Sequence, residues 1–166
     1  MMHYTRIWFL FVALACAGML SFALYVQHVD FVDPCPLCVF QRMAYMWIGV
    51  MALLAFIHNP KGGGKWVYGG LLAAGGLAGM GIAGRHLWLQ SLPADQVPDC
   101  GMGLNYMLDT MPFLQVLTEV FYGSGECAEV YWTFLGLSMP GWTFVWYTAF
   151  TLGTIIVLLK ASRPGS

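Results

Sequence analysis

Apolar and polar positions are segregated along this chain into long blocks rather than alternating. Ile7–Val26 carries no charge. Met43–Ile57, "MAYMWIGVMALLAFI", is short, and Val39–Arg42 supplies the extra first turn it needs. Trp66–Ala83 is uncharged and reaches Leu89 if Arg85 sits near an end; Trp142–Leu159 is the last run. A helix needs roughly 20 mainly apolar residues to cross a bilayer, and only a structure that satisfies its own backbone hydrogen bonds survives there. The pattern therefore predicts an all-α membrane protein, a four-transmembrane-helix bundle forming one domain over residues 1–166. The spans fall at about 7–26, 39–57, 66–88 and 142–159, with outer loops at about 27–38 and 89–141.

The long second loop has a pattern of its own. Leu104, Met107, Leu108, Met111, Leu114, Leu117, Val120 and Phe121 recur at steps of three and four, which predicts a short amphipathic helix lying on the membrane surface. Pro112 should kink or split it. Such a helix would hold the loop close to the first one, besides covering the end of the bundle.

Composition strengthens the membrane reading. The chain is 59% hydrophobic and 9% charged, against roughly 25% charged for soluble domains. The net charge of −1 offers no basic surface for nucleic acid. Charge also sets an orientation. Arg6, Lys61, Lys65, Lys160 and Arg163 fall on one side; every acidic residue, from Asp30 and Asp33 to Glu126 and Glu129, falls on the other. Lys and Arg mark the cytoplasmic side. Both termini are then cytoplasmic and both acidic loops face out, with Arg42 and Arg85 at outer helix ends. A rival reading takes "ALAC" at residues 13–16 as a lipoprotein cleavage site, but the apolar run continues past Cys16 and cleavage would leave three spans. The third run is glycine-rich, and Gly75 and Gly79 have the G-x-x-x-G spacing that lets helices approach closely.

Four of the five cysteines face outward in this topology: Cys35 and Cys38 on the first loop, Cys100 and Cys127 on the second. The fifth, Cys16, lies within the first span and reads as a small apolar residue. An even set of outward cysteines implies disulfides. Zinc would want a second C-x-x-C or histidines at ligand spacing, and neither stands near Cys100 and Cys127, so no metal site is expected. Static staples are the competing reading, because Cys100–Cys127 would close an ordinary structural ring. "DPCPLCVFQR" at residues 33–42 argues otherwise. A C-x-x-C ring restrains almost nothing, and the spacing is that of a redox pair. Cys38 falls near a predicted helix start, with Arg42 one turn on along the same face; both favour a thiolate. An electron acceptor for such a pair lies at membrane depth, and a lipid-soluble quinone fits best, since haem-attachment and Rossmann motifs are absent.

"PCPLCVFQR", the basic turn, the glycine-rich span, "RHLWLQSLP", "PDCGMGLNYML" and "GSGEC" together resemble the disulfide bond formation protein B family, DsbB, over nearly the whole chain. The resemblance implies a bacterial inner-membrane enzyme that reoxidises a DsbA-like periplasmic thioredoxin-fold protein and passes the electrons to ubiquinone or menaquinone. It further implies that Cys100 forms the mixed disulfide with the partner, that Cys127 exchanges with Cys35, and that Cys38 is the quinone-side thiolate. Arg42 would help bind the quinone, and His86 of "RHLWLQ" would add a contact. Gln41 stands where some members carry an acidic residue, which alters the charge near the quinone. The sequence leaves open the resting disulfide pairing, Cys35–Cys38 with Cys100–Cys127 or Cys35–Cys127. It also leaves open a paralogue serving a dedicated partner, and a non-enzymatic scaffold with structural disulfides.

Overall fold

The computed structural model describes residues 2–29, 31, 34–93, 95–98, 104–123, 125–130 and 132–162. The elements run α1 (Met2–Val29), α2 (Pro36–His58), α3 (Gly64–Gln90), α4 (Leu104–Thr110), α5 (Phe113–Tyr122), α6 (Gly125–Ala128), β1 (Thr133–Phe134), β2 (Leu137–Ser138) and α7 (Met139–Ser162). Helices α1, α2, α3 and α7 are each long and apolar enough to cross a membrane. This is a multi-pass membrane protein.

Local chemistry sets the ends of these helices. Pro36 occupies the first turn of α2, where its missing N–H costs nothing, and Cys35 is the N-cap. At the other end Asn59 takes a left-handed conformation (φ 44°) and returns its N–H to the Ala55 carbonyl. Pro60 and Gly62 (φ 59°) then turn the chain into α3. The hairpin β1–β2 is an element that the apolar runs did not announce. It is antiparallel, and its turn holds Leu135 (φ 52°) and Gly136 (φ 80°), the two positive φ angles of a type I′ turn.

The four long helices form a ring in the order α1, α2, α3, α7, with broad packing of α1 on α2, α2 on α3 and α3 on α7. The closing seam between α7 and α1 is sparse. It is shut at the end bearing the chain termini, where the Trp8 indole donates to Thr154 Oγ1 at 3.0 Å and lies against Gly153. Towards the other end the seam opens into a cavity. The first core, with Phe9, Val12, Tyr45, Ile48, Leu72, Tyr147 and Phe150, fills the ring, and large apolar side chains such as Leu14, Leu53, Leu77 and Ile156 point outward.

Helix α3 packs closely because it lacks side chains where its neighbours press in. A Cβ on Gly75 would stand 2.6 Å from the Trp47 ring of α2, and one on Gly79 would stand 2.6 Å from the Tyr147 ring of α7. The two glycines of the G-x-x-x-G spacing thus serve different neighbours. Gly81, by contrast, faces open space.

The second loop folds over the end of the ring as a small second core: Cys35, Leu37, Ile82, Leu89, Met107, Val116, Val120 and Cys127. Pro112 splits the predicted helix into α4 and α5 and resets its phase. Met107, Val116 and Val120 are buried, while Leu108, Leu114 and Phe121 point out, Leu114 being 77% exposed.

Gly79→Ala should therefore lower thermal stability in detergent by about 1–3 kcal/mol, the usual cost of overpacking, whereas Gly81→Ala should not. Equal melting of both variants would show that α3 and α7 do not meet as described.

Candidate functional site

The site lies where the second core meets the open seam. Capping brings Cys35 and Cys38 together: the Cys38 N–H points to Cys35 Sγ at 3.4 Å, and Cys35 donates its S–H to Cys38 Sγ at 3.1 Å. Both are thiols. From α3, His86 places Nε2 3.9 Å from Cys35 Sγ. From α6, the Cys127 thiol hydrogen-bonds Cys35, and the Cys127 backbone lies against His86. Cys35, Cys38, His86 and Cys127, separated widely in sequence, are thus gathered in one place. Cys100 lies outside the described residues. Cys16 is buried in the first core against Gly49, apart from this cluster.

Three residues inside the quoted motifs, Arg85, Gln90 and Gln41, hold the cluster together. Arg85 donates Nε to the Phe121 carbonyl at 2.8 Å and Nη2 to the Tyr122 carbonyl at 2.9 Å, and its guanidinium stacks on Trp88. This anchors the end of α5 just before the turn that delivers Cys127. Gln90 extends the strap, donating to the Glu129 carbonyl at 3.4 Å and accepting from Ser138 at 2.7 Å. Gln41, 4% exposed, is the third. Its Nε2 lies 3.2 Å from His86 Nδ1, its Oε1 lies 2.9 Å from Thr143 Oγ1, and its backbone carbonyl accepts from Tyr147 at 2.7 Å. Their sequence signal was adjacency alone: Arg85 precedes His86, and Gln41 precedes Arg42.

Cys38, Arg42 and His86 line a cavity of about 810 Å³, mostly apolar, between α1, α2 and α7. Phe22, Trp132, Phe134 and Trp142 form a chain of ring contacts along its wall, with centroids 5.9–6.3 Å apart. Arg42 reaches across to α1, donating to Gln27 Oε1 and, at 3.2 Å, to the Ala23 carbonyl. Its Nε is buried and has no acceptor among the described residues.

Comparisons with known proteins identify the family. Residues 5–157 match the family model "Disulfide bond formation protein DsbB". The chain belongs to the DsbB family. The protein named disulfide bond formation protein B of Marinobacter nauticus is 50% identical over 153 residues, covering 92% of this chain and 91% of its own. Its namesake in Hahella chejuensis is 56% identical over 138 residues, 83% of this chain and 84% of the other. That of Nitrosococcus oceani is 54% identical over 150 residues, 90% and 87%. Membership in the DsbB family makes this chain a membrane protein of disulfide bond formation.

The paired thiols are not equivalent. The hydrogen bond from Cys127 favours a Cys35 thiolate, but the bond Cys35 gives to Cys38, together with burial, outweighs it, and the Cys35 thiol is pushed up to about 12. At pH 8 the Cys35 thiolate is then far scarcer than that of an unperturbed thiol. Iodoacetamide at pH 8 should label reduced protein at Cys38 and spare Cys35, read by tandem mass spectrometry. Equal labelling of the two would remove the asymmetry.

Proposed function

We propose that this protein is a thiol:quinone oxidoreductase. It takes two electrons from a DsbA-like periplasmic thioredoxin-fold protein and passes them to ubiquinone or menaquinone in the bilayer. The observation that carries the reading is the juxtaposition of a C-x-x-C dithiol with an apolar cavity at the open seam, lined also by Arg42, whose buried Nε has no acceptor among the described residues.

The residues fit a quinone. A buried donor without a partner costs about 1–3 kcal/mol, and a ring carbonyl at Arg42 Nε would relieve that cost. The aromatic wall suits the ring, and the sparse α7–α1 seam suits entry from the bilayer. The quinone supplies the oxidising power and takes up two electrons and two protons. That supply is needed. An ordinary structural disulfide lies below roughly −300 mV and a DsbA-class dithiol at about −120 mV, a gap of ~8 kcal/mol in the wrong direction.

The chain's own residues would act in sequence. Cys100 takes the attack of the reduced partner and forms the mixed disulfide, whose resolution leaves the partner oxidised and Cys100 and Cys127 reduced. Cys127, hydrogen-bonded to Cys35, is placed to exchange with it. Each exchange breaks one S–S bond and forms one. The dithiol of Cys35 and Cys38 then closes to a disulfide, releasing two electrons and two protons. Cys35 does not shed its proton unaided, and His86 Nε2, 3.9 Å away, is placed to accept it. Arg42 holds the oxidant beside Cys38.

The charge distribution supports an orientation in the bacterial inner membrane. Arg6, Lys61, Lys65 and Lys160 sit at the end bearing the termini, and Asp95, Asp109, Glu119, Glu126 and Glu129 at the end bearing the site. Both termini are then cytoplasmic and the thiols periplasmic.

The test is quinone reduction by purified protein with reduced DsbA as donor. Wild type should turn over with ubiquinone or menaquinone and Cys38→Ser should not; a wild type inert with both would overturn the proposal. Arg42→Ala should raise the quinone KM by roughly tenfold or more, the worth of a charged hydrogen bond, while exchange with DsbA stays unchanged. An unaltered quinone KM would remove Arg42 from the quinone site.

A further inference from the structure

The cluster also has the donor set of a metal site. One ligand atom each from Cys35, Cys38 and His86 lie within 4.8 Å of one another. The sulfurs are 3.1 Å apart, and Cys35 Sγ is 3.9 Å from His86 Nε2. A tetrahedral zinc ion, with bonds of about 2.3 Å to sulfur and about 2.0–2.1 Å to nitrogen, has ligand-to-ligand edges of roughly 3.4–3.8 Å. These two separations fall on either side of that range and the third edge, Cys38 to His86, is within 4.8 Å, so closing around an ion takes side-chain shifts of about an ångström or less. The C-x-x-C spacing by itself lacked a third ligand; α3 supplies it from 51 residues away.

The surroundings favour ligation rather than merely permitting it. A ligating imidazole must present a bare nitrogen to the ion and give its other N–H to an acceptor. Gln41, itself buried, sits at His86 Nδ1. With its amide turned so that Oε1 faces Nδ1, His86 donates there, and Nε2 gives up its hydrogen bond to the Cys127 backbone to meet the ion as a bare nitrogen. The turned amide stays satisfied. Thr143 Oγ1, which donates to Gln41 Oε1 in the observed orientation, can turn its proton to the Pro140 carbonyl 2.9 Å away and accept from the Gln41 amide instead. Charge is favourable too: two thiolates neutralise a dication, so the complex brings no net charge into a largely apolar cavity. Cys127, hydrogen-bonded to Cys35, is next to the fourth position.

We propose that the reduced form binds one soft divalent cation, zinc or cadmium, through Cys35, Cys38 and His86, and that the bound ion arrests turnover. Binding forms two metal–sulfur bonds and one metal–nitrogen bond and releases two protons from the thiols. No electrons move. The ion occupies the sulfur lone pairs that the disulfide would use, so the dithiol cannot be oxidised until it leaves. Binding stands on the geometry alone; the arrest rests on the relay proposed above.

The test titrates cadmium chloride into reduced, detergent-purified full-length protein carrying Cys100→Ser, which removes the other cysteine pair. Thiolate-to-cadmium absorption is the readout. One equivalent should bind the reduced protein, and none should bind protein whose Cys35 and Cys38 are joined. His86→Ala and Gln41→Leu should each weaken binding by about tenfold or more. Gln41→Glu, whose carboxylate accepts from Nδ1, should bind at least as tightly as the parent, which guards against reading a folding defect as a lost ligand. Uptake by the oxidised protein, or wild-type affinity in His86→Ala, would overturn the site. Turnover assayed in protein with Cys100 intact separates the two claims. Cadmium bound in the expected pattern with quinone reduction unimpaired overturns the arrest and keeps the site. Binding in a protein that reduces no quinone overturns the relay and keeps the site.

Discussion

The structure depends on how one buried amide is satisfied. Gln41 sits on α2 at the depth where the ring of helices gives way to the cavity, and its polar atoms reach three partners on two other helices: His86 on α3, and Thr143 and Tyr147 on α7. In an apolar bundle an unpaired amide is costly, so these bonds fix the rotation of each helix about its axis as well as its contact. Tyr147 is held further by stacking on Tyr45 with centroids 4.4 Å apart, and Gly79 leaves the space its ring occupies. The small residues of α3 and the polar residues of α2 and α7 therefore form one device. Close approach makes the hydrogen bonds possible, and the hydrogen bonds place His86 beside Cys35.

The same device explains why the cavity lies on one side only. Three of the four seams are tightened by small residues or by the Gln41 hub, while α1 is held to α7 mainly by Trp8 and Thr154 at the far end. Arg42 bridges α2 to α1 by donating to Gln27 and the Ala23 carbonyl, and so keeps α1 in place without closing the gap. One guanidinium is thus a tie between helices, lines the cavity, and carries a buried Nε that has no acceptor among the described residues.

Much of this was legible in the sequence, and the boundary of what was legible has a physical cause. The four spans show as apolar runs because lipid permits little else. Pro112 announced a break because its ring excludes a helix interior. The thiol pair announced itself because C-x-x-C followed by arginine is a local pattern. What could not be read is what local patterns do not encode. The split at Pro112 was legible, but the phase of the helix beyond it was not: in α5 Val116 turns inward and Leu114 outward. Arg85 looked like a charge misplaced at a helix end; its role as a clamp on the Phe121 and Tyr122 carbonyls needs the folded loop. Gln41 looked like a neutral stand-in for an acid, and its value lies in partners roughly 45 and 102 residues away.

That neutrality has a consequence for the chemistry. A carboxylate at position 41 could only accept from His86 and would favour one charge state. An amide both donates and accepts, and Thr143 tolerates either orientation because its hydroxyl can donate to Gln41 Oε1 or, turned to the Pro140 carbonyl, accept from the amide. His86 can therefore present Nε2 to Cys35 as donor or as acceptor without breaking the network. A group that must take a proton from a thiol and later lose it needs that freedom, and so does one that must meet a metal ion with a bare nitrogen. The proton step of the relay and the metal site draw on the same reversible amide, which is why soft cations and electron transfer compete for a single arrangement of side chains.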